Sequence, residues 1–252
     1  MCHDENAHPP IPAAQSGSVT GQDLVLQAAD GKRFAAYFAR AQQPDGAQVL
    51  IYPDVRGVHQ FYKELALRFA ENGITALAID YFGRTAGLEP RDLSGHEVHL
   101  QQLRPATFFA DVTAGLNYLR TGERAQQATF VVGFCLGGAL SFYTATEPAF
   151  DLAGVVGFYA GVGLNIGNET FLEASKRISV PLLGLFGGAD SFVPNEQVEV
   201  LDHNLNQNHI EHEIVVYPGA PHSFFDHSAE QFAEASSDAW QRVLSFIAAH
   251  TK

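Results

Sequence analysis

Cys135 stands between two glycines in Gly133-Phe134-Cys135-Leu136-Gly137, with a run of apolar residues before it and small apolar residues after it. That is the G-x-nucleophile-x-G form of a sharp strand-to-helix turn that lifts a nucleophile out of a sheet. A residue at such a turn is expected in a strained backbone conformation with positive φ. Side chains at the flanking positions would collide with the turn, and glycine removes them. The helix that follows aims its N-terminus at the sulfur, which favours thiolate over thiol. It also offers the backbone N–H of Leu136 to a developing oxyanion. A competing reading makes Cys135 a small buried apolar residue and the glycines a packing device.

A cysteine nucleophile is served by a base and by a group that orients the base. On a sheet of this type they follow the nucleophile in the chain, acid first and histidine second. Asp190 closes the run LFGGAD and His222 lies in YPGAPHSFF. His222 would take or hold the thiol proton, and Asp190 would fix the imidazole tautomer. Taken singly, Asp190 also reads as a turn or N-cap residue and His222 as a surface-loop histidine. His96, His99, His203, His209 and His212 form neither an H-E-x-x-H nor a Cys/His ligand set, so no metal is expected. The glycines at 161–163 and 187–188 open no G-x-G-x-x-G fingerprint, so no dinucleotide cofactor is expected either.

Residues so far apart in sequence need a sheet to bring them together. DLVLQAADGKRFAAYFAR reads as two extended runs around the hairpin signal Asp30-Gly31. Beyond it, short apolar runs rich in Val, Ile and Leu at 49–53, 74–80, 128–134, 153–160, 180–190 and 212–222 read as strands. Helical spacing fills 61–73, 106–122, 194–207 and 228–249, the last carrying Trp240. Residues 83–104 read as a polar, irregular surface excursion. Alternating strands and helices, with strands apolar on both sides, predict a mostly parallel α/β sheet covered on both faces. Residues 1–20 read as a flexible tail containing Cys2, and 21–252 as one domain.

The 252 residues are 46 % hydrophobic and 17 % charged, enough for a core without disulfides. A formal charge of −13 argues against a nucleic-acid or anionic-membrane surface. Two cysteines, no signal-like segment and no long apolar run point to a cytoplasmic protein with free thiols. A monomer is expected.

GFCLGG, GGADSFVP and YPGAPHSF together resemble the dienelactone hydrolase family, and IYPDVRGVHQFYKELALRFAENGITALAIDYFGR is similar to its segment from the third strand onward. The resemblance implies an α/β-hydrolase fold with Cys135, His222 and Asp190 as a Cys–His–Asp triad. It implies that Asp54 contacts the resting thiol and can receive its proton; the family's usual residue there is glutamate, one methylene longer. It assigns the N–H of Val55 as the second oxyanion donor. Arg84, in YFGR, matches a family arginine that pairs with the substrate carboxylate, a task suited to a bidentate guanidinium. Asp226 stands about where dienelactone-cleaving members carry a second arginine, and with Asp54 it would weaken attraction for a carboxylate. Tyr81, Phe82, Phe224 and Phe225 could line an apolar acyl or ring pocket. The expected function is hydrolysis of a small ester or lactone through an acyl-enzyme. The alternative is a thiol-based ligand-binding or redox-sensing protein on the same fold, without turnover.

Overall fold

The computed structural model describes residues 7–12, 19–89, 91, 92, 94–226 and 229–251. Asp30 and Gly31 reverse the chain as expected, with Gly31 at φ +83°, and the antiparallel strands β1 (Val19–Gln27) and β2 (Arg33–Ala41) pair along their length. After that hairpin, strands and helices alternate in the chain. They are β3 (Ala47–Tyr52), α1 (Gln60–Glu71), β4 (Thr75–Ile79), α2 (Gly83–Ala86), α3 (His96–Gln102) and α4 (Pro105–Leu119). Then come β5 (Ala128–Phe134), α5 (Leu136–Thr144), β6 (Gly154–Phe158), the short pair β7 (Asn165–Ile166) and β8 (Glu169–Thr170), and α6 (Phe171–Ala174). The chain ends with β9 (Leu182–Gly187), α7 (Asn195–Gln207), β10 (His212–Tyr217) and α8 (Ala233–His250).

Eight strands form one sheet in the order β1-β2-β4-β3-β5-β6-β9-β10. From β4 to β10 every neighbouring pair is parallel. The period-two alternation of the strands sorts their side chains into two cores. Val49, Ile51, Val132 and Leu185 pack with α1 and α8, through Phe69, Trp240 and Val243. Leu50, Tyr52, Val131 and Leu182 face the other way, against α4, α5 and α7. Both faces are therefore covered, and any site must open at a strand end.

Register fixes which ends meet. Tyr52 pairs with Gly133, so Asp54 and Cys135 each leave the sheet two residues beyond a matched pair. Tyr217 pairs with Gly187, so Asp190 and His222 leave it together two strands further on.

Three expectations change. The excursion 83–104 contains α2 and α3; α3 buries none of its residues, so it carried no apolar period to read. The last helix starts at Ala233, not at 228. In the segment read as a tail, residues 7–12 lie against α1: His8 Nδ1 is 2.7 Å from Glu64 Oε2, and Ile11 packs on the adjacent core. Cys2 lies outside the described residues. No helix among the described residues is long and apolar enough to cross a membrane.

Candidate active site

Cys135 caps the N-terminus of α5 with φ 57° and ψ −118°, a conformation that non-glycine residues adopt at a cost of about 1–3 kcal/mol. Its N–H donates to the Phe158 carbonyl at 3.1 Å, and its carbonyl accepts from the Gly161 N–H at 3.3 Å, tying the turn to the end of β6. A Cβ on Gly133 would overlap the Gly137 carbonyl, and one on Gly137 would overlap the carbonyls of Tyr52 and Pro53. The turn thus packs backbone on backbone, which is why both flanking positions are glycine.

At the neighbouring strand ends, His222 Nδ1 lies 2.7 Å from Asp190 Oδ2. Asp190 Oδ1 accepts from the N–H groups of Phe192 at 2.7 Å and Val193 at 3.0 Å. One carboxylate oxygen is therefore anchored to its own loop and the other faces the imidazole. The ring is held from the sides as well, with Tyr159 at 4.9 Å and Phe192 at 5.2 Å between centroids. Tyr159 (φ 36°) and Ser223 (φ 60°) adopt left-handed backbone beside it, as strained residues do around sites that over-determine them.

Cys135 and His222 open on the same cavity of about 560 Å³, which Val55 and Leu136 also line. The Leu136 N–H belongs to the first turn of α5, where helix donors lack intrahelical acceptors. Among the described residues no acceptor is bonded to the N–H of Val55 or of Leu136.

Asp54 is buried beyond β3. Its Oδ1 accepts from the Arg56 N–H at 2.7 Å, while Oδ2 lies 3.6 Å from Arg56 Nη2 and 3.8 Å from His59 Nε2. The next carbonyl is held by a residue that sequence reasoning missed. Arg91 donates from Nε to the Val55 carbonyl at 3.1 Å and grips Asp80 through both terminal nitrogens, at 2.5 and 2.6 Å. The peptide between Val55 and Arg56 is thus fixed from both sides, which orients the loop that carries the Val55 N–H. Tyr159, Phe192 and His96, which also reach the site, were missed too; Arg91 and Tyr159 stand in no local motif.

Several sequence-derived placements are corrected. Arg84 does not line the Cys135 cavity. It bonds Asp111 through Nε at 2.7 Å and Asp30 through Nη1 at 2.5 Å, and it faces a second cavity of about 310 Å³. α3 stands between the two: His96 and Leu100 face the first, His99 and Gln102 the second. Tyr81 and Phe82 are buried and border that second cavity. Burial, then the nearby charges of Asp54 and Cys135, holds the Tyr81 phenol well above its ordinary range. Phe224 and Phe225 are core residues: Phe224 packs on Tyr159 and Tyr217, and Phe225 on Phe158. Asp226 is turned inward, where Tyr159 Oη donates to its Oδ2 at 2.7 Å.

The Arg84 pairing carries a pH signature. Burial pushes the Asp111 carboxyl up to about 6, with Arg84 opposing it. A carboxyl raised in the folded state binds its proton more tightly there than in the unfolded chain. Its contribution favours the fold below about pH 4 and is lost as pH rises through about 6. Asp111→Asn is therefore expected to gain on the wild type in thermal stability across that interval. A difference in melting temperature that stays constant with pH would refute the assignment.

Comparison with known proteins places this geometry in a family. The model of the dienelactone hydrolase family matches residues 34–251. The carboxymethylenebutenolidase of Pseudomonas putida is 29 % identical over 234 residues, which are 90 % of this chain and 96 % of that one. A provisionally named carboxymethylenebutenolidase of Salmonella typhimurium is 32 % identical over 234 residues, 86 % of this chain and 83 % of that one. The crystal structure of a provisionally named dienelactone hydrolase from Klebsiella pneumoniae superposes with a TM-score of 0.79 at 25 % identity, covering 92 % of this chain and 99 % of that one. A Pyrococcus furiosus esterase shares the fold at a TM-score of 0.67 and 16 % identity, over 95 % of each chain. The chain belongs to the dienelactone hydrolase family, and is a carboxylic-ester hydrolase built on the α/β-hydrolase fold.

Proposed function

We propose that the protein hydrolyses small esters or lactones through a Cys135–His222–Asp190 triad and a thioester intermediate. The observation that carries this reading is that Cys135, on its left-handed turn, and His222, tethered to Asp190, line one cavity. With Nδ1–H donating to Asp190, the neutral imidazole presents Nε2 as an acceptor. The thiol proton passes to His222, by way of Asp54 where that carboxylate has received it in the resting enzyme, and the sulfur attacks the acyl carbon. The carbonyl oxygen gathers negative charge, which the N–H groups of Leu136 and Val55 receive. As the carbon–oxygen bond to the leaving group breaks, the His222 imidazolium returns the proton to that oxygen. Water then enters. His222 takes one of its protons, the hydroxide adds to the thioester, and the carbon–sulfur bond breaks to release the carboxylic acid and the thiolate, which recovers its proton from the His222 imidazolium.

The intermediate is the direct test. Acid quenching during turnover of p-nitrophenyl butyrate, followed by peptide mass analysis, is expected to find a butyryl group on Cys135. Steady turnover with no acyl group on Cys135 would sink the mechanism. Rapid alkylation of Cys135 with no turnover of any ester would favour the thiol-sensing alternative.

A further inference from the structure

We infer that the site selects neutral esters with an apolar acyl chain and discriminates against acyl groups that carry a carboxylate. The inference rests on the esterase reading above and deepens it. Among the described residues lining the Cys135 cavity there is no lysine, arginine, aspartate or glutamate. Apart from Cys135 and His222, its polar side chains are those of His96 and Gln197. Its walls are apolar, from Leu100, Leu136, Leu164 and Val193. A carboxylate brought into such a cavity loses its water and meets no lysine or arginine among the described residues that line it. The formal charge of −13 works against its approach as well.

The side chain expected to pair with a substrate carboxylate is engaged elsewhere: Arg84 is held by Asp30 and Asp111 on the far side of α3. The mouth of the cavity carries the complementary signal. Phe192 is 64 % exposed and Leu164 39 % exposed, and both line the opening. Large apolar side chains held in solvent at a cavity rim mark a surface that an apolar ligand covers. Phe192 also flanks the His222 ring, so a chain lying on it runs from the rim to the reacting carbon.

Matched substrates test this. p-Nitrophenyl hexanoate and the p-nitrophenyl monoester of adipic acid have six-carbon acyl groups and differ in one terminal carboxylate. The kcat/KM for hexanoate is expected to exceed that for adipate by roughly 10- to 100-fold. It is also expected to exceed that for acetate, by up to about fourfold per methylene buried, a gain that Phe192→Ala reduces. Leu164→Arg, at a surface position, is expected to narrow the hexanoate-to-adipate ratio at least several-fold. Equal or better turnover of adipate overturns the inference, most directly if Arg84→Gln then abolishes it. Hexanoate turnover that Cys135→Ala leaves within about tenfold of the wild type overturns the underlying Cys135 mechanism instead, so the two failures are distinguishable.

Discussion

Replacing Cys135 with alanine is expected to lower ester turnover by on the order of 10⁴-fold or more while leaving the fold intact. The two halves of that expectation have separate causes. Alanine and cysteine meet the same backbone penalty at φ 57°, and the replaced side chain is only partly buried at a cavity wall, so the turn has no new reason to relax. What disappears is the atom to which the proposed mechanism gives the acyl bond. The N–H groups of Leu136 and Val55, the proposed oxyanion donors, remain, and polarisation of a bound ester by them is expected to leave a residual rate above the uncatalysed one. Cys135→Ser is expected to fall between, since a hydroxyl depends on His222 for activation far more than a thiol does. Asp190→Asn attacks the same step from the other end. It removes the acceptor that fixes Nδ1–H, and a loss of on the order of 10²–10⁴-fold is expected. The proposed mechanism has these groups act as a unit, so Asp190→Asn should have little further effect in the Cys135→Ala background. Steady-state kinetics on p-nitrophenyl butyrate, with thermal melts of each variant, check all of this. An alanine variant that melts like the wild type and retains a tenth of its activity would remove Cys135 from the mechanism.

Much of the positioning machinery was legible in the sequence, and for identifiable reasons. Runs such as VLIYP and ATFVVGF are short, rich in β-branched and aromatic residues and apolar at consecutive positions, as a strand buried on both faces requires. The elbow was legible because its geometry leaves no alternative to glycine at 133 and 137. Asp190 and His222 could be placed because one closely follows the buried strand β9 and the other the edge strand β10, so the strands deliver them to the same end of the sheet. Arg84 was misplaced because its partners, Asp111 and Asp30, lie 27 and 54 positions away, and no local pattern announces a long-range ion pair. Phe224 stands two residues after His222, but the left-handed turn at Ser223 sends it into the core. Arg91 escaped notice because its task is to hold a backbone carbonyl, which carries no residue-type signature. Chemistry fixed by the direction of a strand could be read from sequence; chemistry fixed by the partner a long side chain chooses could not.

The glycine at 137 supplies the second large effect, and here it falls on stability. A methyl group at this position would be driven into the carbonyls of Tyr52 and Pro53, both main-chain atoms at the end of β3. No rotamer change can relieve that overlap, so α5 must move away from the sheet or β3 must bend. Overpacking typically costs 1–3 kcal/mol, and a backbone-on-backbone clash belongs at or above the top of that range, roughly 3 kcal/mol or more. Gly122→Ala is the matched control. Gly122 has φ +63° and nothing within 4 Å of where a methyl group would stand, so it isolates the left-handed backbone penalty, about 1–2 kcal/mol. Urea denaturation is expected to give Gly137→Ala a markedly lower midpoint than Gly122→Ala. The folded fraction of Gly137→Ala should also lose activity well beyond its lost stability. The first residue of α5 is Leu136, whose N–H is assigned to the oxyanion, and a displacement near 1 Å can cost about 10²-fold in rate. Equal midpoints for the two variants would mean that α5 does not press against β3 at this residue. The packing explanation for the second elbow glycine would then fail.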